Sequence, residues 1–204
     1  TANNFGNFNY TNMDEFKASS FGADTIPAFV NYVEGIYVGY KFYETAAAEG
    51  LIDYDKTVVY PFGRGLSYTT FTQTLNSVTE ADGTITVDVT VTNTGSASGK
   101  EVVEVYYNPP YTNGGIEKAS ANLIGFAKTS ELAPGASENV TVTFKAEDMA
   151  SYDTYGKGCY VLEKGDYVIS INADSHTVLD SKVYNVASDI VYDASNKRES
   201  DVEV

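Results

Sequence analysis

Strict alternation of apolar and polar residues between positions 84 and 92 limits the fold of this chain more than any other feature. In TITVDVTVT, Ile85, Val87, Val89 and Val91 lie on one side of an extended chain, and threonines and an aspartate lie on the other. A side-chain period of two is typical of a half-buried β-strand and incompatible with a helix. The same period recurs in three later segments, whose apolar faces are Val103, Val105 and Tyr107; Val140, Val142 and Phe144; and Tyr167, Ile169 and Ile171.

Turn signals separate these segments at short intervals. Asn93-Thr94-Gly95, Pro134-Gly135 and Lys164-Gly165 each follow or precede an alternating run, and such residues favour chain reversals. About seven short strands joined by turns predict a mainly β chain. We expect an antiparallel β-sandwich of immunoglobulin-like topology over residues 66–188.

The first 65 residues have a different character. Asn12 followed by Glu15 resembles a capping box and predicts a short helix to about Ser19. From residue 29 to residue 50 the chain is apolar and aromatic with partly helical spacing, although Gly35 and Gly39 interrupt it. A helix this aromatic needs a partner surface, in the second half of the chain or in another domain.

Charge excludes several classes of partner. The 204 residues include 13 basic and 28 acidic side chains, for a net charge of −15 and a pI near 4.3. Binding to phosphates requires clustered cations, so we expect neither nucleic acid nor a membrane as a partner. The start of the chain lacks the basic and apolar regions of a signal peptide, and localisation stays open between the cytoplasm and secretion.

Few residues offer catalytic or metal chemistry. Cys159 and His176 are the only cysteine and histidine, and we interpret them as a small core residue and a turn residue. Asp53 and Asp55 could share a calcium ion, but two acids fall short of the six to eight oxygen ligands that calcium prefers. We therefore expect no metal and no cofactor.

Other acids and glycines have simple structural interpretations. Glu101 and Glu104 are at odd spacing on one strand, so we expect solvated acids on opposite faces. Gly63 and Gly65 lack the lysine and the following helix of a phosphate-binding loop, and a tight turn between domains fits them better.

A stiff aromatic loop is the most site-like feature. We place this loop at residues 106–115, where YYNPPYTNGG combines three tyrosines with two prolines and two glycines. Loops on a rigid scaffold often carry ligand contacts, so Tyr107 and Tyr111 are candidate substrate-binding residues. Packing of this loop against a neighbouring domain is the alternative.

Two segments resemble the signature of glycoside hydrolase family 3. They are VEGIYVGYKFYET at residues 33–45 and YPFGRGLSYTTF at residues 60–71. Further along, ANLIGFAKTSELAPG is similar to part of the family's fibronectin type III-like domain, and YYNPPYTNGGIEK resembles members with inverted domain order. The resemblance implies three parts: the end of an α/β-sandwich domain with its connector (1–65), a fibronectin type III-like domain (66–188), and a linker toward a catalytic barrel (189–204).

The family's chemistry implies what this chain contributes. Members hydrolyse β-linked glycosides with retention, using a barrel aspartate in a Ser-Asp-aromatic context. Asp189 and Asp201 follow serines but precede aliphatic residues, so we assign no catalytic residue here. Glu34 is interpreted as an acid that braces a turn. The residues expected to pack between domains are Tyr37, Tyr40, Tyr60, Phe62 and Arg64.

The resemblance therefore implies a non-catalytic part of a β-glucosidase, which would brace the catalytic domains and place a tyrosine-rich loop near the substrate cleft. Its partners would be the other domains of the parent enzyme and, through them, an oligosaccharide or glycoside. An independent carbohydrate-binding module that uses exposed tyrosines is the alternative. A purely structural adhesion-type sandwich has no need for the segment PFGRGLSYTTF.

Overall fold

The computed structural model describes residues 35–201 and, before them, the backbone of residues 18–20 and 23–25. In that early part β1 (Ala18–Ser20) pairs antiparallel with β2 (Ala23–Thr25). The predicted helix ending near Ser19 is therefore wrong at its end, because Ser19 lies opposite Asp24 in a strand pair. The start of that helix and Glu34 lie outside the described residues.

Between residue 35 and the sandwich, the structure has two helices. Helix α1 (Tyr40–Ala48) is shorter than the helical run expected over residues 29–50, of which residues 29–34 lie outside the described residues. Gly35 and Gly39 have positive φ angles of 58° and 60°, a conformation that no right-handed helix accommodates. Helix α2 (Tyr54–Thr57) begins at Asp53, whose side chain caps it by accepting from the backbone N–H of Lys56.

The predicted antiparallel β-sandwich is confirmed. One sheet has the strand order β3-β4-β7 and the other has the order β11-β10-β5-β6, with every neighbouring pair antiparallel. The strands of the first sheet are β3 (Phe71–Ala81), β4 (Thr84–Asn93) and β7 (Ser137–Lys145). Those of the second are β5 (Val102–Asn108), β6 (Asn122–Lys128), β10 (Gly165–Asn172) and β11 (Val178–Val186).

The inward faces predicted from the alternation meet in one hydrophobic core. Ile85, Val87, Val89 and Val91 of β4 are completely buried, and the apolar faces of β5, β7 and β10 pack in the same cluster. Burial of one such valine contributes about 1.5–3 kcal/mol. The sandwich is therefore a stable platform for whatever lies on its outer faces.

A small three-stranded sheet lies beside the sandwich. It has the strand order β12-β9-β8, from β8 (Ser151–Tyr152), β9 (Tyr160–Leu162) and β12 (Ile190–Tyr192), and a short 3-10 helix (Ala146–Met149) precedes it. Strand β12 belongs to the segment interpreted as a linker. The chain after it is also fixed, because the Arg198 guanidinium lies 3.5 Å from the centre of the Tyr160 ring.

The expected linker is therefore folded onto the protein for much of its length, since Ile190 pairs with Leu162 and Tyr192 with Tyr160. Sequence reasoning missed this strand because its flanks are polar. Across residues 35–201, neither helix has the length and hydrophobicity needed to cross a lipid bilayer.

Candidate functional site

Residues 35–70, which we call the connector, pack on the outer face of the four-stranded sheet. Tyr40 is central to this contact: its ring stacks on Phe62 with a centroid distance of 4.7 Å and meets Tyr106 of β5 edge-on at 6.1 Å. The Tyr40 hydroxyl accepts a hydrogen bond of 2.9 Å from the backbone N–H of Leu123 in β6. Burial raises the pKa of Tyr40. Tyr40 and Phe62, both predicted to pack between domains, thus contact each other on the sandwich.

A buried carboxylate ties the connector to the turn between β10 and β11. Glu44 is only 7 % exposed. One of its oxygens accepts from the Tyr54 hydroxyl at 2.6 Å and from the Ser175 hydroxyl at 2.8 Å, and the other lies 2.8 Å from His176 Nδ1. A buried carboxylate is tolerated only with such partners.

The His176 ring completes this cluster by stacking on Tyr54, at a centroid distance of 3.7 Å and an interplanar angle of 6°. Burial, and next the hydrogen bond to Glu44, raise the pKa of Tyr54. His176 does lie in a turn, as predicted, but it also joins three segments of the fold. We call Glu44, Tyr54, Ser175 and His176 the Glu44 cluster.

Sequence reasoning missed Glu44 as the centre of this cluster. Its one local signal is that it lies four residues after Tyr40, on the same face of α1. Its partners Ser175 and His176 are 131 and 132 residues away along the chain. No short-range pattern could have paired them.

The connector also exposes large apolar side chains. Val59 is 82 % exposed, Leu66 94 % and Tyr68 fully exposed. We call this set the apolar surface of the connector; its members are Leu51, Val59, Tyr60, Phe62, Leu66 and Tyr68. Exposed apolar side chains in such density are typical of surfaces that contact another protein part.

Two neighbours contact the turn that contains Arg64: the Tyr60 ring and the Glu104 carboxylate. The Arg64 guanidinium lies 5.2 Å from the centre of the exposed Tyr60 ring, within range of a cation–π contact. Gly63 has a φ of 84°, and a Cβ at this position would lie 2.3 Å from the Glu104 carboxylate. Only glycine fits here without displacing Glu104.

The tyrosines of the predicted loop have different surroundings. Tyr107 is on β5, not in a loop, and packs against the sandwich core, where burial raises its pKa to about 12. Tyr111 is 43 % exposed and lies with Tyr37 and Asn113 in the wall of a cavity of about 360 Å³. Tyr37 donates a 2.5 Å hydrogen bond to Glu117, and burial followed by this hydrogen bond raises its pKa.

A buried lysine, which no sequence pattern indicated, anchors this loop. The Lys118 side chain is 4 % exposed and forms an ion pair with Glu163. Its ammonium group also donates to the backbone carbonyl of Pro110 at 2.7 Å. The position of Tyr111, directly after Pro110, is therefore set by a buried contact.

Glu101 and Glu104 are not the solvated acids that we expected. Both are half-buried, and this burial raises the pKa of each carboxyl. Glu101 accepts from the Gln73 side chain at 3.1 Å and Glu104 from the Tyr106 hydroxyl at 2.8 Å. The connector and strand β3 cover this end of β5, which the local pattern could not show.

Asp53 caps helix α2 and forms an ion pair with Lys56. Cys159 is a partly buried free thiol. Within residues 35–201, no three of the histidine, cysteine, aspartate and glutamate side chains group as metal ligands.

Comparisons with known proteins agree with this architecture. A family model described as a fibronectin type III-like domain matches residues 101–175. Beta-glucosidase A of Butyrivibrio fibrisolvens is 39 % identical over 189 residues, which cover 83 % of this chain and 22 % of that protein.

Solved structures show the same likeness. The β-glucosidase 3B of Thermotoga neapolitana in complex with α-D-glucose is 35 % identical with a TM-score of 0.67, and the match covers 79 % of this chain and 21 % of that one. The Kluyveromyces marxianus β-glucosidase in complex with glucose is 31 % identical with a TM-score of 0.69, covering 79 % and 18 %. The chain thus spans about a fifth of the length of these relatives.

Proposed function

This chain belongs to glycoside hydrolase family 3, whose fibronectin type III-like domain it carries, and we propose that it is a non-catalytic, bracing part of a β-glucosidase. Its connector would pack against the remaining domains of the parent enzyme, which act on a β-linked glycoside. The proposal depends mainly on the apolar surface of the connector, where Leu66 and Tyr68 are almost fully exposed.

The connector presents this surface rigidly. Tyr40 and the Glu44 cluster fix the connector to the sandwich through an aromatic contact with Tyr106 and through hydrogen bonds to Leu123, Ser175 and His176. A fixed apolar surface loses little conformational entropy when a second domain covers it. Bracing is therefore the function that this arrangement performs best.

The first test is turnover by the chain on its own. A retaining glycosidase needs two carboxylates about 5–5.5 Å apart, and the family's nucleophile is on the barrel. We expect no hydrolysis of aryl β-glucosides by the purified chain. Activity that persists after repurification would contradict the proposal.

The second test separates docking from folding. In the parent enzyme Leu66→Asp should lower the melting temperature and the activity, because a charge would enter a covered interface. In the isolated chain the same change should shift stability by no more than about 0.5 kcal/mol, since Leu66 is exposed there. Val183→Asp, at a 61 % exposed position on β11 outside the connector, is the control. Equal effects of both changes on the parent enzyme would refute docking through the connector.

A binding module is the second candidate function, favoured by the pairing of Tyr37 and Tyr111 around one cavity. Tyr107, the other predicted contact, lies in the wall of two neighbouring cavities. Titration with cello-oligosaccharides, followed by tyrosine fluorescence, should give saturable binding that Tyr111→Ala abolishes. Saturation that is unchanged in this variant would exclude the loop as the site.

A further inference from the structure

The loop that carries Tyr111 contains a tight turn at residues 112–115. This turn includes the one asparagine–glycine pair of the sequence, Asn113-Gly114. A hydrogen bond of 2.9 Å from the Gly115 N–H to the Thr112 carbonyl closes it. The whole turn is exposed, as is Tyr111 before it. A loop tip with few buried contacts opens at almost no cost in free energy.

Asn113 and Gly114 leave two groups unpaired. Among the described residues, neither the side-chain amide of Asn113 nor the backbone N–H of Gly114 has a hydrogen-bond partner. Gly114 also has no side chain, and a Cβ placed on it would meet no atom within 4 Å beyond those of its two neighbours. The Asn113 side chain is therefore free to turn toward the Gly114 nitrogen, and nothing in the described part of the chain blocks this approach.

These two groups are the reactants of a rearrangement that makes asparagine one of the thermolabile residues of proteins. The Gly114 N–H loses its proton to hydroxide, its nitrogen bonds to Asn113 Cγ, and the Cγ–Nδ2 bond breaks. Nδ2 takes a proton from water and leaves as ammonia, so that a cyclic imide remains. A second water then adds to one of the two ring carbonyls and breaks the bond between that carbon and nitrogen. Opening at Cγ gives isoaspartate's alternative, ordinary aspartate, and opening at the main-chain carbonyl gives isoaspartate.

We propose that Asn113 deamidates in the folded protein and that this loop is a site of spontaneous covalent modification. The same ring is hindered elsewhere in the chain. Asn76 is also exposed, but its side chain donates to neighbours in the sheet and its backbone belongs to β3. At Asp82-Gly83 the Gly83 N–H is held by the Glu80 carboxylate at 2.7 Å. The structure therefore favours reaction at residue 113 over these sites.

Both products change the surroundings of Tyr111. Asn113 lies with Tyr111 and Glu49 in the wall of the cavity of about 360 Å³. Lys118 is the one cation that the described residues contribute to this wall, and it already pairs with Glu163. The new carboxylate is therefore uncompensated and is repelled by Glu49. Isoaspartate also lengthens the main chain by one carbon, which displaces the turn that follows Tyr111.

The test is storage of the purified chain in mildly alkaline buffer, followed by tryptic digestion and mass spectrometry. The peptide of residues 101–118 should gain about 1 Da, because an amide NH₂ is replaced by OH, and an isoaspartate methyltransferase should label the product. The peptide of residues 65–100, which contains Asn76, should keep its mass. The same mass gain in both peptides would overturn the selectivity on which the proposal depends.

A synthetic peptide of residues 101–118 measures how far the fold slows the reaction. Conversion in the folded chain should be within about tenfold of that in the free peptide, because the turn needs little opening. A folded chain that stays unconverted while the peptide reacts would show that the fold protects Asn113, and the proposal would fail.

Variants assign the reaction to one side chain. Asn113→Gln keeps the amide but requires a larger ring, and should slow conversion of the 101–118 peptide by about tenfold or more because the reacting atoms are less well placed. Asn76→Gln, the same change at another exposed asparagine, is the matched control and should convert like the unaltered chain. A mass gain that persists at its full rate in Asn113→Gln would place the reaction at another residue and overturn the proposal.

Discussion

At the scale of single residues, Asn93 shows how one side chain can hold several segments together. It is completely buried at the end of β4. Its oxygen accepts from the Thr69 hydroxyl at 2.8 Å and the Gly95 N–H at 3.1 Å, and its nitrogen donates to the carbonyls of Ala97 and Leu132, both at 2.8 Å. Every polar group of the side chain is therefore satisfied, which joins the connector to two loops of the sandwich.

Asn93→Ala should lower the free energy of unfolding by about 2–4 kcal/mol, because it leaves buried donors and acceptors unpaired. Urea denaturation of the purified chain measures this loss as a lower midpoint. Asn76→Ala is the control: the exposed side chain of Asn76 donates to Asp88 and Thr90 of the same sheet, and its backbone carbonyl, which accepts from Lys182, is unchanged in the variant. We expect a change of about 0.5 kcal/mol or less for Asn76→Ala, and similar losses in both variants would contradict the role of Asn93.

Residues of the candidate site were predictable only where a motif contained them. Tyr40 and Phe62 were assigned from the family-like segments, and the structure stacks one on the other. Glu44 carries no such signal, because the groups that make its burial tolerable come from a distant turn. The sequence did not distinguish Asn172 from other strand residues. Whether its side-chain oxygen has a hydrogen-bond partner depends on which side chains from elsewhere in the chain pack beside it.

At the scale of elements, the sequence predicted those strands whose formation depends on the residues within them. The strands β4, β5, β7 and β10 follow from alternation, because the period of two itself decides which face is buried. Helix α1 begins later than its apolar run because Gly39 adopts a positive φ. Strand β12 carried no alternation long enough to detect, and it forms because β9 offers a free edge to pair with.

Arg198 makes two of the contacts that stabilise the segment after β12. Besides its contact with the Tyr160 ring, Arg198 donates to the Asp201 carboxylate at 2.7 Å. Arg198→Ala should lower the free energy of unfolding by about 1–2 kcal/mol, the sum expected for a partly buried cation–π contact and a surface ion pair. Hydrogen exchange should show faster exchange in β12 with unchanged protection in β4.

Lys56→Ala is the matched control for Arg198→Ala. It removes the pair between Lys56 and Asp53, where the lysine side chain is 83 % exposed, and such pairs contribute little. Stability should change by no more than about 0.5 kcal/mol. Unchanged exchange of β12 in Arg198→Ala would show that strand pairing alone holds this segment.

At the scale of the whole molecule, the net charge of −15 sets the dependence of stability on pH. A compact chain of this charge repels itself, and the repulsion weakens as carboxylates are protonated. Glu101 and Glu104 add to this effect, because burial raises the pKa of each above its usual 4.5. A carboxyl group whose pKa is raised in the folded protein stabilises the fold fully at pH values below its pKa in the unfolded chain. This stabilisation is lost as the pH rises through its pKa in the folded protein.

Stability should therefore increase as pH falls from 7 to about 5. Below about pH 4 it should fall again, since hydrogen bonds from Ser195 and from Arg198 lower the pKa values of Asp193 and Asp201, and protonation removes these contacts. Urea midpoints at constant ionic strength measure the profile. The double variant Glu101→Gln and Glu104→Gln should flatten the rise between pH 7 and 5, and added salt at pH 7 should reproduce part of it by screening. A midpoint that falls steadily from pH 7 to pH 5 would mean that paired carboxylates outweigh both the repulsion and the two buried glutamates.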